Sequence, residues 1–104
     1  IKIEIILINF DEWPGIEGLK PIGEGHYIPD TFDQNIVDSV IHVDIENAAG
    51  ISKLLASKGL FVGQSSGAYI TAALEVCKKQ QNNSRVVTIL NDIGERYFST
   101  GIWG

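Results

Sequence analysis

The sequence predicts an α/β fold with a mainly parallel sheet. Three observations predict it: short runs rich in β-branched residues at 1–10, 37–43 and 85–90, helical patterns after the second run and before the third, and turn residues at the junctions. Strands that alternate with helices favour a parallel sheet covered by its own crossovers. The 104 residues, 44% apolar and 20% charged with a formal charge of -5, suffice for one small domain or part of one.

Residues 1–10 (IKIEIILINF) close on Asn9 and Phe10 and suit a strand buried on both faces. No N-cap or polar lead-in precedes this run and the chain has no methionine, so it reads as a chain cut at a strand. From 11 to 34 the pattern dissolves into a long loop marked by Pro14, Gly15, Gly18, Pro21, Gly23, Gly25 and Pro29. Loops of that length inside a compact domain are usually functional. The second strand, 37–43 (VDSVIHV), ends at Asp44, whose carboxylate is placed to accept from the free N–H groups of a helix starting at Ile45. Ile45, Ala48, Ile51 and Leu55, joined by Leu54, recur near the helical period and leave Glu46, Asn47, Ser52 and Lys53 to solvent. Gly59 stops the helix.

Leu60, Phe61 and Val62 lead into GQSSG, 63–67, and a second helix running to about Gln80. Its apolar residues (Ala68, Ile70, Ala72, Ala73, Leu74, Val76, Cys77) lie all round, which predicts burial on every side. The polar exit KKQQNNS then feeds 85–90 (RVVTIL), expected to be another doubly buried strand, and the segment NDIGERYFSTGIW, 91–103.

Whole classes of function are excluded. Beyond Lys78-Lys79 there is no basic cluster, so nothing offers the phosphate contacts that nucleic-acid binding needs. The opening apolar run is interrupted by Lys2 and Glu4 and is too short for a membrane span or a signal peptide. A lone Cys77 reads as a small core hydrophobe, excludes an internal disulfide framework and fits a cytoplasmic protein. His26 and His42 lack the spaced companions of a metal site, so no metal is expected. His26 sits in the loop, either within reach of substrate or, having no partner in view, as a bystander, and His42 is a surface or packed strand residue.

GQSSG also spells the Gly-x-Ser-x-Gly nucleophile elbow, and its strand–turn–helix context matches. Such hydrolases place the acid and then the histidine after the nucleophile, whereas both histidines here precede Ser65. The objection is strong, and triads in other orders keep it from being final. A plainer reading has Gly63 and Gly67 permitting close backbone packing while Ser65 or Ser66 caps the helix. The same position, beyond the carboxyl end of a strand, is where α/β sheets present ligands, so a hydroxyl there suits cap and ligand contact alike.

Three stretches, KGLFVGQSSGA (58–68), VVTIL with NDIGERYFSTGIW (86–103) and the weaker YIPDTFDQNIVDSVIHV (27–43), together resemble the C-terminal half of a cysteine synthase (O-acetylserine sulfhydrylase). That family belongs to the fold type II pyridoxal 5′-phosphate enzymes, with cystathionine β-synthase. The resemblance implies that residues 1–104 are a C-terminal portion of the cofactor-binding large domain, a three-layer α/β/α unit incomplete in this chain. It also implies that Ser65, the first serine of the SSGA turn, hydrogen-bonds the pyridine nitrogen of the cofactor. A hydroxyl does not enforce a pyridinium as a carboxylate would, which makes the cofactor a milder electron sink suited to β-elimination and replacement. Gly23, in PIGEG (21–25), is similar to the family's glycine-bearing substrate loop, although Pro21 stands where Gly is usual and one extra residue precedes Ile28-Pro29. Asn91-Asp92-Ile93 replaces the more usual Pro-Asp-Ser or Pro-Ser-Ser and, with the STGIW ending, resembles the B-type cysteine synthases. Asp92 reaches toward the ring edge or serves as a turn residue.

The Schiff-base lysine and the phosphate-cradling loop of that family have no match here. Lys2, Lys20, Lys53, Lys58, Lys78 and Lys79 hold no matching position, so no residue of this chain is expected to be catalytic and the chain alone is not a competent enzyme. In the complete enzyme the resemblance implies cysteine formation from O-acetylserine and sulfide, with the missing N-terminal half supplied and a homodimer formed. Two alternatives stay open: cystathionine β-synthase activity, with homocysteine as nucleophile, and a non-catalytic split or degenerate module that docks through an unpaired sheet edge.

Overall fold

The computed structural model describes residues 3–11, 15–16, 19–22, 28–81, 83–95 and 103. Strand β1 (Ile6–Asn9) pairs in parallel with β2 (Ser39–His42), Ile6 opposite Ser39 and Asn9 opposite His42. A parallel pair requires a long crossover, and the loop predicted from the Gly/Pro pattern serves as one. Toward its end a 3-10 turn (Gln34–Ile36) forms because the Asp33 carboxylate accepts from the Asn35 N–H at 2.9 Å. Asn9 holds the return path in place. Its amide donates to the Ile22 carbonyl at 2.9 Å and accepts from the Ile22 N–H at 3.2 Å, as a neighbouring strand would.

Helix α1 (Ile45–Ser57) begins and ends where its chemistry predicts. Asp44 accepts from the Glu46 N–H at 2.9 Å, satisfying one of the donors a helix start leaves free. At the other end Gly59 takes φ +93, and two bonds close the turn in the Schellman pattern, Leu60 N–H to Leu55 O at 2.9 Å and Gly59 N–H to Ala56 O at 3.1 Å.

Its inner face departs from expectation. Ser52 is fully buried and Leu54 is 48% exposed, the reverse of the predicted pattern. The reason is the partner helix. A Cβ on Gly67 of α2 (Gln64–Lys79) would strike the Ser52 side chain and the Ala48 carbonyl, so the helices cross closely enough to admit only small residues. Ala48 and Ser52, one turn apart, face that crossing, and Leu54, about 200° further round, points away.

The second helix is not buried on every side either. Its first half is, through Ser65, Ser66, Gly67, Ala68 and Ala72, whereas Leu74 is 46% exposed and Cys77 is an exposed thiol, not a core residue. The core is small: Phe10, Ile16, Val43, Ala48, Ala68 and Ala72, with Ile8, Leu19, Ile41 and Ile45 packed against it. It lies where the carboxyl ends of both strands meet the two helices.

Two strand expectations also change. The first run is ladder-bound only at Ile6–Asn9 and half-buried there, because among the described residues β1 has a single partner strand. Residues 85–90 form no ladder, and Val87 is 82% and Ile89 72% exposed. The pattern of that run is a strand's, and the neighbours it would need are not supplied by the described residues. Beyond it, Val62 and Ile93 make one antiparallel bridge. The architecture is α/β with a two-stranded parallel sheet, part of a domain.

Candidate functional site around Ser65

The GQSSG turn and the segment after 85–90 come together at the start of α2. Gly63 N–H donates to the Asp92 carbonyl and Gly94 N–H to the Phe61 carbonyl, both at 3.0 Å. Gly94 lies so close to the Phe61 ring that a Cβ there would collide with it. Phe61 in turn meets Trp103 edge-on at 4.8 Å between centroids, and Trp103 Nε1 donates to the Gly94 carbonyl at 2.9 Å.

Gly63 is the N-cap of α2 and no side chain caps it, so the expectation that Ser65 or Ser66 caps the helix is not met. Ser65 is fully buried and its hydroxyl donates to Asn91 Oδ1 at 3.2 Å. Tyr69 lies one turn along the same helix. Burial raises the Tyr69 pKa above 10.0, the hydrogen bond to Asn91 opposes that rise, and the Asp92 carboxylate adds to it. Among the described residues, Ser66 Oγ and Gln64 Oε1 are buried and find no hydrogen-bond partner. Polar atoms so placed are costly unless something completes them.

The nucleophile reading finds no support in this geometry, since the Ser65 hydroxyl is bonded to an amide and not to a histidine. His42 lies at the exposed end of β2 with Nε2 3.1 Å from Asp11 Oδ1, a surface contact worth little. Gly23, His26 and residues 96–102 lie outside the described residues. Lys20, Lys53, Lys58, Lys78 and Lys79 are all exposed. Among the described residues no group of three or more His, Cys, Asp or Glu is placed to hold a metal, and no helix is long and apolar enough to cross a membrane.

Asn91 and Tyr69 are the site residues that the sequence reading passed over. Tyr69 carried a signal, a phenol one turn after Ser65 on the same helix. Asn91 carried none, because its contact with Ser65 spans 26 positions. A cavity of about 760 Å³ adjoins this region, lined by Ile6 and Ile8 of β1, Tyr69, Ala72 and Val76 of α2, and Val87.

What residues of this kind could hold is narrow. A buried hydroxyl in the first turn of a helix, with unpartnered polar atoms on both sides of it, fits the ring nitrogen of a heteroaromatic cofactor. Nothing described here fits a cofactor's phosphate or a covalent lysine attachment.

No family model matches the chain. Curated relatives do. Cysteine synthase B of Campylobacter jejuni is 40% identical over 89 residues, 86% of this chain and 29% of that protein. Cysteine synthase of Staphylococcus aureus is 37% identical over 110 aligned positions, 98% of this chain and 35% of that protein. Among solved structures, the O-acetylserine dependent cystathionine beta-synthase from Helicobacter pylori superposes with a TM-score of 0.77 at 32% identity, covering 97% of this chain and 35% of that one. The chain thus spans about a third of the length of the proteins it matches.

Proposed function

Since the chain is cysteine-synthase-like in sequence and in fold over nearly its whole length, we propose that it is the C-terminal portion of the cofactor-binding large domain of a pyridoxal 5′-phosphate enzyme. That enzyme converts O-acetylserine and sulfide into cysteine and acetate: the Cβ–O bond breaks, acetate leaves with its electron pair, and sulfide forms the new Cβ–S bond. The observation that carries the reading is the buried Ser65 hydroxyl at the start of α2, pinned beside the 91–94 turn.

Pyridoxal phosphate, when bound, withdraws electrons from the substrate Cα and so permits loss of the α-proton and of the β-substituent. Ser65 holds the ring by its nitrogen, and the close crossing of Gly67 against Ser52 and Ala48 keeps that hydroxyl from moving. Gly23 is assigned to the substrate loop by resemblance, and Asn9 anchors Ile22, the residue before it. The exposed lysines support the further reading that the covalent attachment and the phosphate site come from the rest of the enzyme, so this chain alone is inactive. A cytoplasmic homodimer is the expected form of the whole.

Homocysteine is a second candidate nucleophile, favoured by the likeness to a cystathionine beta-synthase that depends on O-acetylserine. The enzyme containing this segment, assayed with O-acetylserine and either sulfide or homocysteine, decides between them. Cysteine from sulfide is the expected product. Cofactor binding without product from either nucleophile leaves the non-catalytic module standing, and absence of cofactor binding sinks the reading altogether.

A further inference from the structure

We infer that Trp103 is a positioning residue for Ser65: by clamping Gly94 onto Phe61 it fixes the 91–94 turn against residues 61–63, and with them the first turn of α2 that carries Ser65. The inference rests on the reading that Ser65 faces the cofactor ring.

Backbone pairing alone holds these two segments weakly. Val62 and Ile93 form one antiparallel bridge outside the described strands, carrying Gly94 N–H to Phe61 O and Gly63 N–H to Asp92 O, both at 3.0 Å. So short a pairing is marginal in water without a packed face, and Ile93, 54% exposed, gives it little cover. Trp103 supplies what the bridge lacks. Its indole N–H, a donor only, reaches the Gly94 carbonyl at 2.9 Å, and its ring meets the Phe61 ring edge-on at 4.8 Å between centroids. One side chain therefore grips both sides of the bridge, residues 92–94 by a hydrogen bond and residues 61–63 by an aromatic pair.

Gly94 makes that grip possible, because a Cβ there would collide with the Phe61 ring. Both sides of the bridge lead to Ser65. Gly63 is the N-cap of α2 and Ser65 follows two residues on. On the other side Asn91, next to Asp92, has its Oδ1 3.2 Å from the Ser65 hydroxyl. If either side slips, the hydroxyl shifts against whatever it faces, and a hydrogen bond weakens steeply with misalignment. Trp103 thus acts on the ring contact through Gly94 and Phe61.

The test uses the enzyme containing this segment and reads two quantities: cofactor affinity by titration, and the circular dichroism of the bound cofactor, which reports how firmly and at what angle its ring is held. Trp103→Ala is expected to weaken cofactor binding about tenfold, the size of one aromatic pair lost with one hydrogen bond, and to diminish the dichroic band at saturating cofactor. Gly94→Ala, which lifts the turn off Phe61, should do the same, and the two changes together should cost no more than either alone. In a Ser65→Ala background Trp103→Ala should have no further effect on affinity.

A Trp103→Ala enzyme that loses denaturant midpoint while affinity and dichroic band stay at wild type overturns the inference, since Trp103 is then structural only. An equal loss of affinity in the Ser65→Ala background also overturns it, by routing the effect past Ser65. Should Trp103→Ala fail to fold, Trp103→Phe keeps the ring and removes the donor: a smaller loss with the same dependence on Ser65 is expected, and wild-type affinity overturns the inference. Ser65→Ala separates the two layers. Unchanged affinity and dichroism there sink the reading that Ser65 faces the ring, and the inference with it, whereas loss there without loss in Trp103→Ala sinks the inference alone.

Discussion

Ser52 and Val87 have exchanged the places that hydropathy would give them. Ser52 is fully buried where α1 crosses α2, and Val87 is 82% exposed in a run of β-branched residues. The crossing selects for size, because Gly67 brings the helix axes too close for any larger side chain, and a hydroxyl is tolerated as the cost of a small volume. The 85–90 run has a strand's composition and, among the described residues, no strand's partner. Burial in the first region is complete within the chain; in the second, on the reading proposed above, it belongs to the rest of the enzyme.

The largest effect is expected from crowding the crossing. Gly67→Val would drive a branched side chain into the Ala48 carbonyl as well as the Ser52 side chain, and the backbone atom cannot swing aside. A loss of about 3 kcal/mol is expected, at the upper end of overpacking costs, read as a fall in denaturant midpoint of the enzyme containing this segment. A loss under about 0.5 kcal/mol, the range of indifferent surface changes, would show that the helices part easily and that the contrast between the regions is not one of packing.

Val87→Asp probes the other side of the comparison. If the rest of the enzyme covers the run, this substitution forfeits about 2 kcal/mol of apolar burial and adds the desolvation of a carboxylate, with a matching drop in the enzyme's stability. In the isolated 104-residue chain the same change should leave solubility improved and secondary structure, by circular dichroism, unaltered. Equal tolerance in both forms would mean that nothing covers residues 85–90.

Ser52→Ala should act in the opposite direction from Val87→Asp. The Ser52 hydroxyl is buried and has no partner among the described residues, so deleting it removes a desolvation penalty and almost no volume. A gain of up to about 1 kcal/mol is expected. Destabilisation by a similar amount would reveal a partner for that hydroxyl in the complete enzyme, and would move Ser52 from filler to functional group.

The contrast also explains what could be read in advance. Asp44 and Gly59 announced the ends of α1 because caps are local chemistry, decided within a few residues. A parallel sheet followed from strand–helix alternation, although, among the described residues, the crossover between β1 and β2 is the long loop and not an α-helix. Ser52 was misplaced because the face a helix buries is chosen by its partner, here a glycine in another helix. Leu74 and residues 85–90 were misplaced for the complementary reason, since an apolar pattern records contacts without saying which chain segment makes them. The position of Ser65 in the first turn of α2 was legible from the turn that carries it, whereas its hydrogen bond to Asn91 spans 26 positions.

Tyr69→Phe should have the smallest effect and the most specific one. The Tyr69 pKa is raised above 10.0, chiefly by burial, against the bond from Asn91 and with the Asp92 charge. Below that ordinary value the phenol is neutral in both folded and unfolded states, so its titration contributes nothing to stability. As pH rises through it the unfolded chain ionises first, binds fewer protons than the native state, and is favoured. Stability is therefore lost on the alkaline side only. Tyr69→Phe should flatten that loss while leaving the neutral-pH midpoint little changed, as denaturation followed across the alkaline range would read. An unchanged alkaline slope would mean that Tyr69 is solvated in the complete enzyme.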